Sequence, residues 1–245
     1  MESPLIIVPA FNEQETIEGV VTSLHNLNYE VLVVDDCSSD ATAELAARSG
    51  AHVLHLSVNL GVGGALRAGF RFAIGRGYST VVQVDADGQH PDDQVADLLK
   101  ALHQFDAHLV IGSRYLPDSS TFLTSQFRRF AMWCLSSVAS QLAQTRITDS
   151  TSGFRAIRQP LLSEFAREFP NYYLGDTFES TVAAARAGYK VIEIPASIRQ
   201  RAFGKSSIGS IRAVQLIAKV LIVSIASLQV RIRPFRQHSS EVNPE

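Results

Sequence analysis

Asp85 and Asp87 stand one residue apart at the end of the run VVQVDADGQHPDD. Two carboxylates so spaced on an extended segment point to the same side and can share a hard divalent cation already coordinated by phosphate oxygens. Gln89 adds a further oxygen nearby. Such a donor set suits Mg²⁺ or Mn²⁺ better than zinc. Val81, Val82 and Val84 have the β-branched character of a buried parallel strand. The carboxylates are therefore expected at its carboxyl end, where open α/β sheets bind ligands. A plain strand-to-helix turn would also use Asp and Gly, with Pro91 opening the next helix, so the pair does not decide the matter by itself.

The elements around the pair fit an α/β arrangement. Short β-rich runs are expected at Leu5 to Val8, Val31 to Val34, His52 to Leu56, Val81 to Val84 and Leu109 to Ile111. Helical patterns at Glu13 to Leu27, Asp40 to Ser49, Gly64 to Ile74 and Asp92 to Leu102 alternate with them, as a mainly parallel sheet flanked by helices requires. The polar clusters PAFNE, DDCSSD, SVNLGVGG, DADGQH and GSRY all follow strands and would line one crevice. Beyond Gly112, helices are expected at Phe127 to Leu142 and Phe178 to Ala187, a polar segment at Thr148 to Arg155, and a last strand at Val191 to Ile194.

Composition bounds the alternatives. A chain of 245 residues, 46% hydrophobic and 19% charged, is ordinary globular material. Two cysteines, Cys37 and Cys134, are too few for a disulfide framework. The first apolar run, Leu5 to Ala10, is too short for a signal sequence and lacks a basic lead, so a cytoplasmic location is expected. The net charge of -2 hides an asymmetry: no Asp or Glu lies between Ile194 and Ser240, a stretch with eight Arg and Lys. An acidic body with a basic tail suggests an anionic partner, and with no nucleic-acid-binding motif present we expect a phosphate ligand or membrane surface rather than nucleic acid.

That tail carries Ile211, Val214, Ile217, Leu221, Ile225, Leu228 and Ile232 at helical spacing. The uninterrupted part, Val220 to Val230, falls short of the ~20 apolar residues of a membrane span. With Arg212, Lys219, Arg231, Arg233 and Arg236 in and after it, 208–236 reads as an interfacial or partner-binding helix, and 237–245 as a disordered tail. Packing on the domain core is the competing reading.

Taken in order, VPAFNEQETI, VVDDCSSD, NLGVGGALRAGF, VDADGQHPDD, GSRY and TSGFRAIR resemble family 2 glycosyltransferases of the GT-A fold over most of residues 3 to 207. The closest likeness is to dolichyl-phosphate mannose synthases and bacterial polyprenyl-phosphate glycosyltransferases. The resemblance implies a catalytic domain over 1–207 in which Pro9, Phe11, Glu13 and Asp36 frame the nucleoside, Asp36 at the base edge and Glu13 at the ribose. It makes Asp87 the main metal ligand, with Asp85 and Gln89 assisting. It places Gly61 and its neighbours beneath the nucleotide sugar; their spacing is wrong for a dinucleotide GxGxxG loop, and they follow the third strand rather than the first.

Arg114, after the fifth expected strand, could add a charge to the diphosphate, and Arg128 and Arg129 could hold an acceptor phosphate or form a solvated helix face. RQRAFGKSS is similar to the family's RxxGxSK loop over donor and acceptor phosphates: Arg201, Gly204 and Ser206 match, but Ser207 replaces the final Lys and Lys205 lies two residues earlier. The resemblance implies single displacement with inversion. A hydroxyl acceptor needs a general base, for which GDTFES offers Asp176 or Glu179. A lipid phosphate, with a second pKa near ~6, needs none.

The expectation is thus a metal-dependent glycosyltransferase moving a sugar from a nucleotide-diphosphate sugar to a polyprenyl phosphate, peripheral on the inner face of the membrane, where a small membrane-protein partner could supply missing spans. A glycan hydroxyl acceptor is the first alternative. A non-catalytic nucleotide-sugar-binding subunit is the second.

Overall fold

The computed structural model describes residues 3–117, 126–170, 176–197 and 232–235 of the chain. Arg201, Lys205, Ser206, the 198–231 stretch and the tail from 236 lie outside the described residues, as does the side chain of Arg128. The expected interfacial helix is therefore described only at its last few residues.

Seven strands form one sheet: β1 (Leu5–Ala10), β2 (Glu30–Asp35), β3 (His52–His55), β4 (Thr80–Gln83), β5 (Leu109–Ser113), β6 (Arg155–Arg158) and β7 (Val191–Pro195), ordered β3-β2-β1-β4-β6-β5-β7. All neighbours pair parallel except β6, which runs antiparallel to both β4 and β5. The helices are α1 (Ile17–Asn26), α2 (Thr42–Arg48), α3 (Gly61–Gly75), α4 (Val95–Gln104), α5 (Gln126–Ala143), α6 (Leu161–Arg167) and α7 (Asp176–Arg186). This is the mainly parallel, helix-flanked sheet that the sequence predicts, with β6 and α6 added.

Alternation along the strands divides the core in two. Ile6, Val8, Val31, Val33, Val82 and Val110 face α1 and α4, which contribute Ile17, Val21, Leu24, Leu98 and Leu102. Leu5, Ile7, Leu32, Val34, Val81 and Ile111 face α3 and α6, with Phe70, Leu161 and Phe165. Each fully buried large apolar side chain of this kind contributes roughly 1.5–3 kcal/mol. Gly69 lets α3 close on the sheet: a Cβ there would lie 2.7 Å from Ile7 Cγ2. A third cluster, with Leu135, Ala139, Phe178 and Val182, joins α5 to α7.

At the opposite end of the chain, Ile232 to Phe235 are not helical and dock on the domain. Phe235 packs against His108 and Tyr189 with ring centroids 4.5 and 5.4 Å away, and its N–H donates to the Ala187 carbonyl at 2.8 Å. Burial, with Arg158 and Lys190 adding to it, holds the His108 imidazole below its ordinary pKa, so a neutral ring faces this cluster.

Candidate active site

The loops after β1, β2 and β4 meet at the carboxyl ends of their strands, and polar side chains stitch the first two together. Asn12, at φ 56°, accepts the Ser39 N–H at 2.8 Å, and its own N–H donates to Ser38 Oγ at 2.9 Å. Glu13 N–H donates to Thr42 Oγ1 at 2.8 Å, while its carboxylate receives the Thr16 hydroxyl at 3.3 Å at the entry to α1. Pro9 is partly buried on β1, and Phe11 just beyond it is 48% exposed, a flat apolar wall at the mouth of the crevice. Asp36 is 3% exposed and caps α3, accepting the N–H groups of Leu60 and Gly61 at 2.7 and 2.8 Å. Its expected contact with a base edge must therefore use the remaining lone pairs of oxygens already engaged with the helix end. Gly61 takes φ 77° at that junction.

The strand before the carboxylate pair ends at Gln83, two residues before Asp85, so neither carboxylate lies on it. Instead the chain turns: Asp87 Oδ1 accepts the Gln89 N–H at 3.0 Å, and Gly88 takes φ 71°. Asp85 and Asp87 are thus presented from a turn rather than from one face of a strand. Gln89 closes that turn through its backbone. Asp85 is held by His90, whose Nδ1 accepts the Asp85 N–H at 2.9 Å and whose Nε2 lies 3.3 Å from Asp85 Oδ2. His90 is itself buried against Phe154, with ring centroids 5.1 Å apart. Among the described residues no group of three His, Cys, Asp or Glu converges on a metal position. Two carboxylates with room for phosphate oxygens still match a cation that completes its shell from a substrate.

A second layer of charge lies beneath. Arg114 forms a bidentate pair with Asp149, Nε to Oδ2 and Nη2 to Oδ1 both at 2.7 Å, and Asp149 is fully buried. Burial opposes charge on both, yet the pairing prevails and holds the Asp149 carboxyl below its ordinary range and the Arg114 guanidinium above. Arg114, expected to add its charge to a diphosphate, is here bound to a neighbouring carboxylate. Glu193 on β7 fixes the same turn by accepting the N–H groups of Thr148 and Asp149 at 2.8 Å. Burial raises the Glu193 carboxyl despite those bonds.

Asp176 and Glu179, both buried, open α7. Asp176 Oδ1 accepts the Thr177 N–H at 2.8 Å, while Oδ2 is buried with no hydrogen-bond partner among the described residues. Burial, reinforced by the charge of Asp85, pushes the Asp176 carboxyl up to about 6 against the pull of Arg155. A carboxyl balanced near neutrality with one bare oxygen can accept a proton. Of the residues singled out in the sequence, both Asp176 and Arg114 thus lie within the field of Asp85. Asp149, Arg155 and Glu193 lie in the same network without a role visible in the sequence pattern. The single acid in the otherwise apolar strand VIEIP was the one available signal for Glu193.

The sheet order, the carboxylates at the strand ends and the α7 carboxyl define a glycosyltransferase of the GT-A fold. The chain belongs to glycosyl transferase family 2, whose family model matches residues 5–165. It is 35% identical over 212 residues to undecaprenyl-phosphate mannosyltransferase of Micrococcus luteus, covering 82% of this chain and 86% of that protein. It is 32% identical over 228 residues to polyprenol monophosphomannose synthase of Mycolicibacterium smegmatis, covering 88% and 84%. Its fold is similar to glucosyl-3-phosphoglycerate synthase of Mycobacterium tuberculosis, solved with Mn²⁺, UDP and glucosyl-3-phosphoglycerate, at a TM-score of 0.69, 20% identity and coverage of 92% and 79%.

Proposed function

We propose that the protein transfers a sugar, with inversion, from a nucleotide-diphosphate sugar to a polyprenyl phosphate at the inner face of the membrane. The observation that carries the acceptor is the match to two polyprenyl-phosphate mannose transferases over more than 80% of every chain involved. Pro9, Phe11, Glu13, Asp36 and Gly61 would bound the nucleoside, and Asp85, Asp87 and Gln89 the diphosphate. Mg²⁺ or Mn²⁺ held by Asp85 and Asp87 would neutralise the departing diphosphate. Arg201, Lys205 and Ser206, with Arg128, are assigned to the phosphates from their sequence pattern. Arg114 acts through Asp149, fixing the turn beneath the site. A phosphate acceptor is already ionised near neutral pH and attacks without a base.

The cavity of about 420 Å³ lined by Tyr115, Met132, Trp133, Ser136, Arg146 and Thr148 borders the Arg114–Asp149 pair and offers the acceptor an approach. No helix among the described residues is long and apolar enough to cross a membrane. Attachment would then fall to the basic, apolar 208–231 stretch, alone or through a small membrane-protein partner.

The buried, half-satisfied Asp176 favours a second reading, transfer to a glycan hydroxyl with Asp176 as base and Glu179 beside it. Incubation with UDP-, GDP- and dTDP-sugars, Mn²⁺ and a short polyprenyl phosphate, following nucleoside diphosphate release, separates the readings. Release that requires both lipid and metal supports the proposal and names the donor. Donor binding with no lipid-dependent release overturns it in favour of the glycan acceptor or a non-catalytic role.

A further inference from the structure

The TSGFRAIR segment takes no part in the transfer as proposed, yet three of its consecutive residues touch three parts of the site. Gly153 lies against Asp85: a Cβ added there would sit 2.7 and 2.8 Å from the two carboxylate oxygens. Its backbone is not in the left-handed region, so nothing but this close approach demands glycine. Phe154, fully buried, packs on His90, which grips the Asp85 backbone and side chain. Arg155, 1% exposed, reaches the other way into the first turn of α7, with Nη1 3.1 Å from Ser180 Oγ and Nη2 3.0 Å from the Thr177 carbonyl. Its Nε and Nη2 also hold the segment's own carbonyls, Ser152 at 2.6 Å and Ser150 at 3.3 Å.

The segment is itself fastened to the sheet. Ser152 Oγ donates to the Gly112 carbonyl at 2.7 Å, and the Gly112 N–H donates to the Phe154 carbonyl at 2.8 Å. Gly112 must lack a side chain for this, since a Cβ would meet Phe154 at 2.5 Å. A guanidinium buried so deeply is costly unless hydrogen bonds and nearby carboxylates offset the loss of solvent. Here the charges of Asp176, Asp149, Asp85 and Glu193 offset part of that cost.

We propose that Ser150–Arg155 is a positioning frame, in which Gly153 seats the Asp85 carboxylate and Arg155 seats the first turn of α7, so that one rigid segment sets the two sides of the site relative to each other. Neither residue need touch substrate. The assignment rests on the reading that Asp85 faces a cation and a nucleoside diphosphate. It predicts a division of labour: Gly153 governs binding at Asp85, whereas Arg155 governs turnover by placing α7, which packs on α5 beside the acceptor cavity.

The test is Mn²⁺ titration by electron paramagnetic resonance in the presence of UDP or GDP, on wild-type protein, Gly153→Ala and Arg155→Lys, alongside turnover and thermal melting. Gly153→Ala should weaken Mn²⁺–nucleotide binding at least about tenfold, the scale at which residues supporting a metal ligand act. Arg155→Lys keeps the charge but loses the fork, and should lower kcat about tenfold or more with Mn²⁺–nucleotide affinity and donor KM nearly unchanged. If Gly153→Ala folds poorly, Asp85→Ala/Gly153→Ala should melt no lower than Asp85→Ala, because the carboxylate it strikes is gone. Wild-type affinity in Gly153→Ala, a melting penalty that persists without Asp85, or parallel losses of binding and turnover in both variants would overturn the frame. Wild-type protein that binds neither Mn²⁺ nor nucleotide would instead overturn the functional reading beneath it.

Discussion

At the scale of single residues, Asp176 couples chemistry to stability. Its carboxyl rises to about 6 in the fold because burial penalises the charged form. An acid with a raised folded pKa favours the native state while protonated, so this contribution is complete below the unfolded value near ~3.9 and is lost as pH climbs to the folded one. Asp176→Asn should therefore be more stable than wild type above pH ~6, by on the order of 2–3 kcal/mol, with the gap closing toward pH ~4. Urea melts at both pH values check this. The same variant keeps most of its turnover if the acceptor is a phosphate and loses it if the acceptor is a hydroxyl. Asp87 behaves differently, being a partly exposed turn residue whose bond from the Gln89 N–H is worth about 1 kcal/mol. Asp87→Ala should abolish turnover while moving the melting temperature by only a few degrees, roughly ΔΔG divided by the unfolding entropy. Undiminished turnover in that variant would end the proposal that this turn holds the cation. Asp85 and Asp87 were legible in the sequence because acid type and spacing after a Val-rich strand are visible there. Gly153 was not, since its contribution is the side chain it lacks opposite a carboxylate distant along the chain.

At the scale of elements, the expected strands and helices of the first half fall where the sequence pattern puts them, because parallel strands buried on both faces are apolar and uninterrupted. β6 escaped notice for the opposite reason. RAIR offers two apolar residues between two arginines, yet it lies inside the sheet between β4 and β5, with Arg155 buried at its start. Tertiary hydrogen bonds to Ser150, Ser152, Thr177 and Ser180 make that burial tolerable, and no local propensity encodes them. The turn from Thr148 to Ser152 has the same character, a polar segment fixed by Glu193 on one side and Arg114 on the other. Removing one partner of such a buried pair leaves the other uncompensated, at a cost of about 3–5 kcal/mol. Arg114→Ala should thus lower stability on that scale and lose turnover with it, whereas Arg114→Lys, which cannot form the fork, should recover only part of the loss. Chemical denaturation of both variants provides the check. A destabilisation below about 1 kcal/mol would mean that Arg114 behaves as an ordinary surface charge, free for a diphosphate.

At the scale of the whole molecule, the acidic body and the basic end of the chain meet physically. Arg233 Nε lies 3.9 Å from Glu164 Oε1, and its N–H donates to the same carboxylate at 3.1 Å, while Phe235 fills the ring cluster of His108 and Tyr189. The sequence marks Ile232 as the last apolar position of a helical pattern, but the structure packs it on the core beneath α3 and α6. Charge and periodicity foretell a segment that seeks apolar or anionic surroundings; they do not say that its end is tied back to the domain. Deleting everything from Ile208 would remove that tie together with the apolar stretch, and a loss of membrane binding would then have two explanations. Phe235→Ala separates them. It should cost about 1–2 kcal/mol, as for a partly buried aromatic, and lower the melting temperature accordingly. Cosedimentation with vesicles rich in anionic lipid should be unchanged at equal salt and should weaken with rising ionic strength in both proteins, as screened attraction of the basic stretch requires. If Phe235→Ala releases the protein from such vesicles, the docked end rather than the basic apolar stretch governs attachment. Wild-type binding that ignores salt would instead remove the anionic surface from the list of partners.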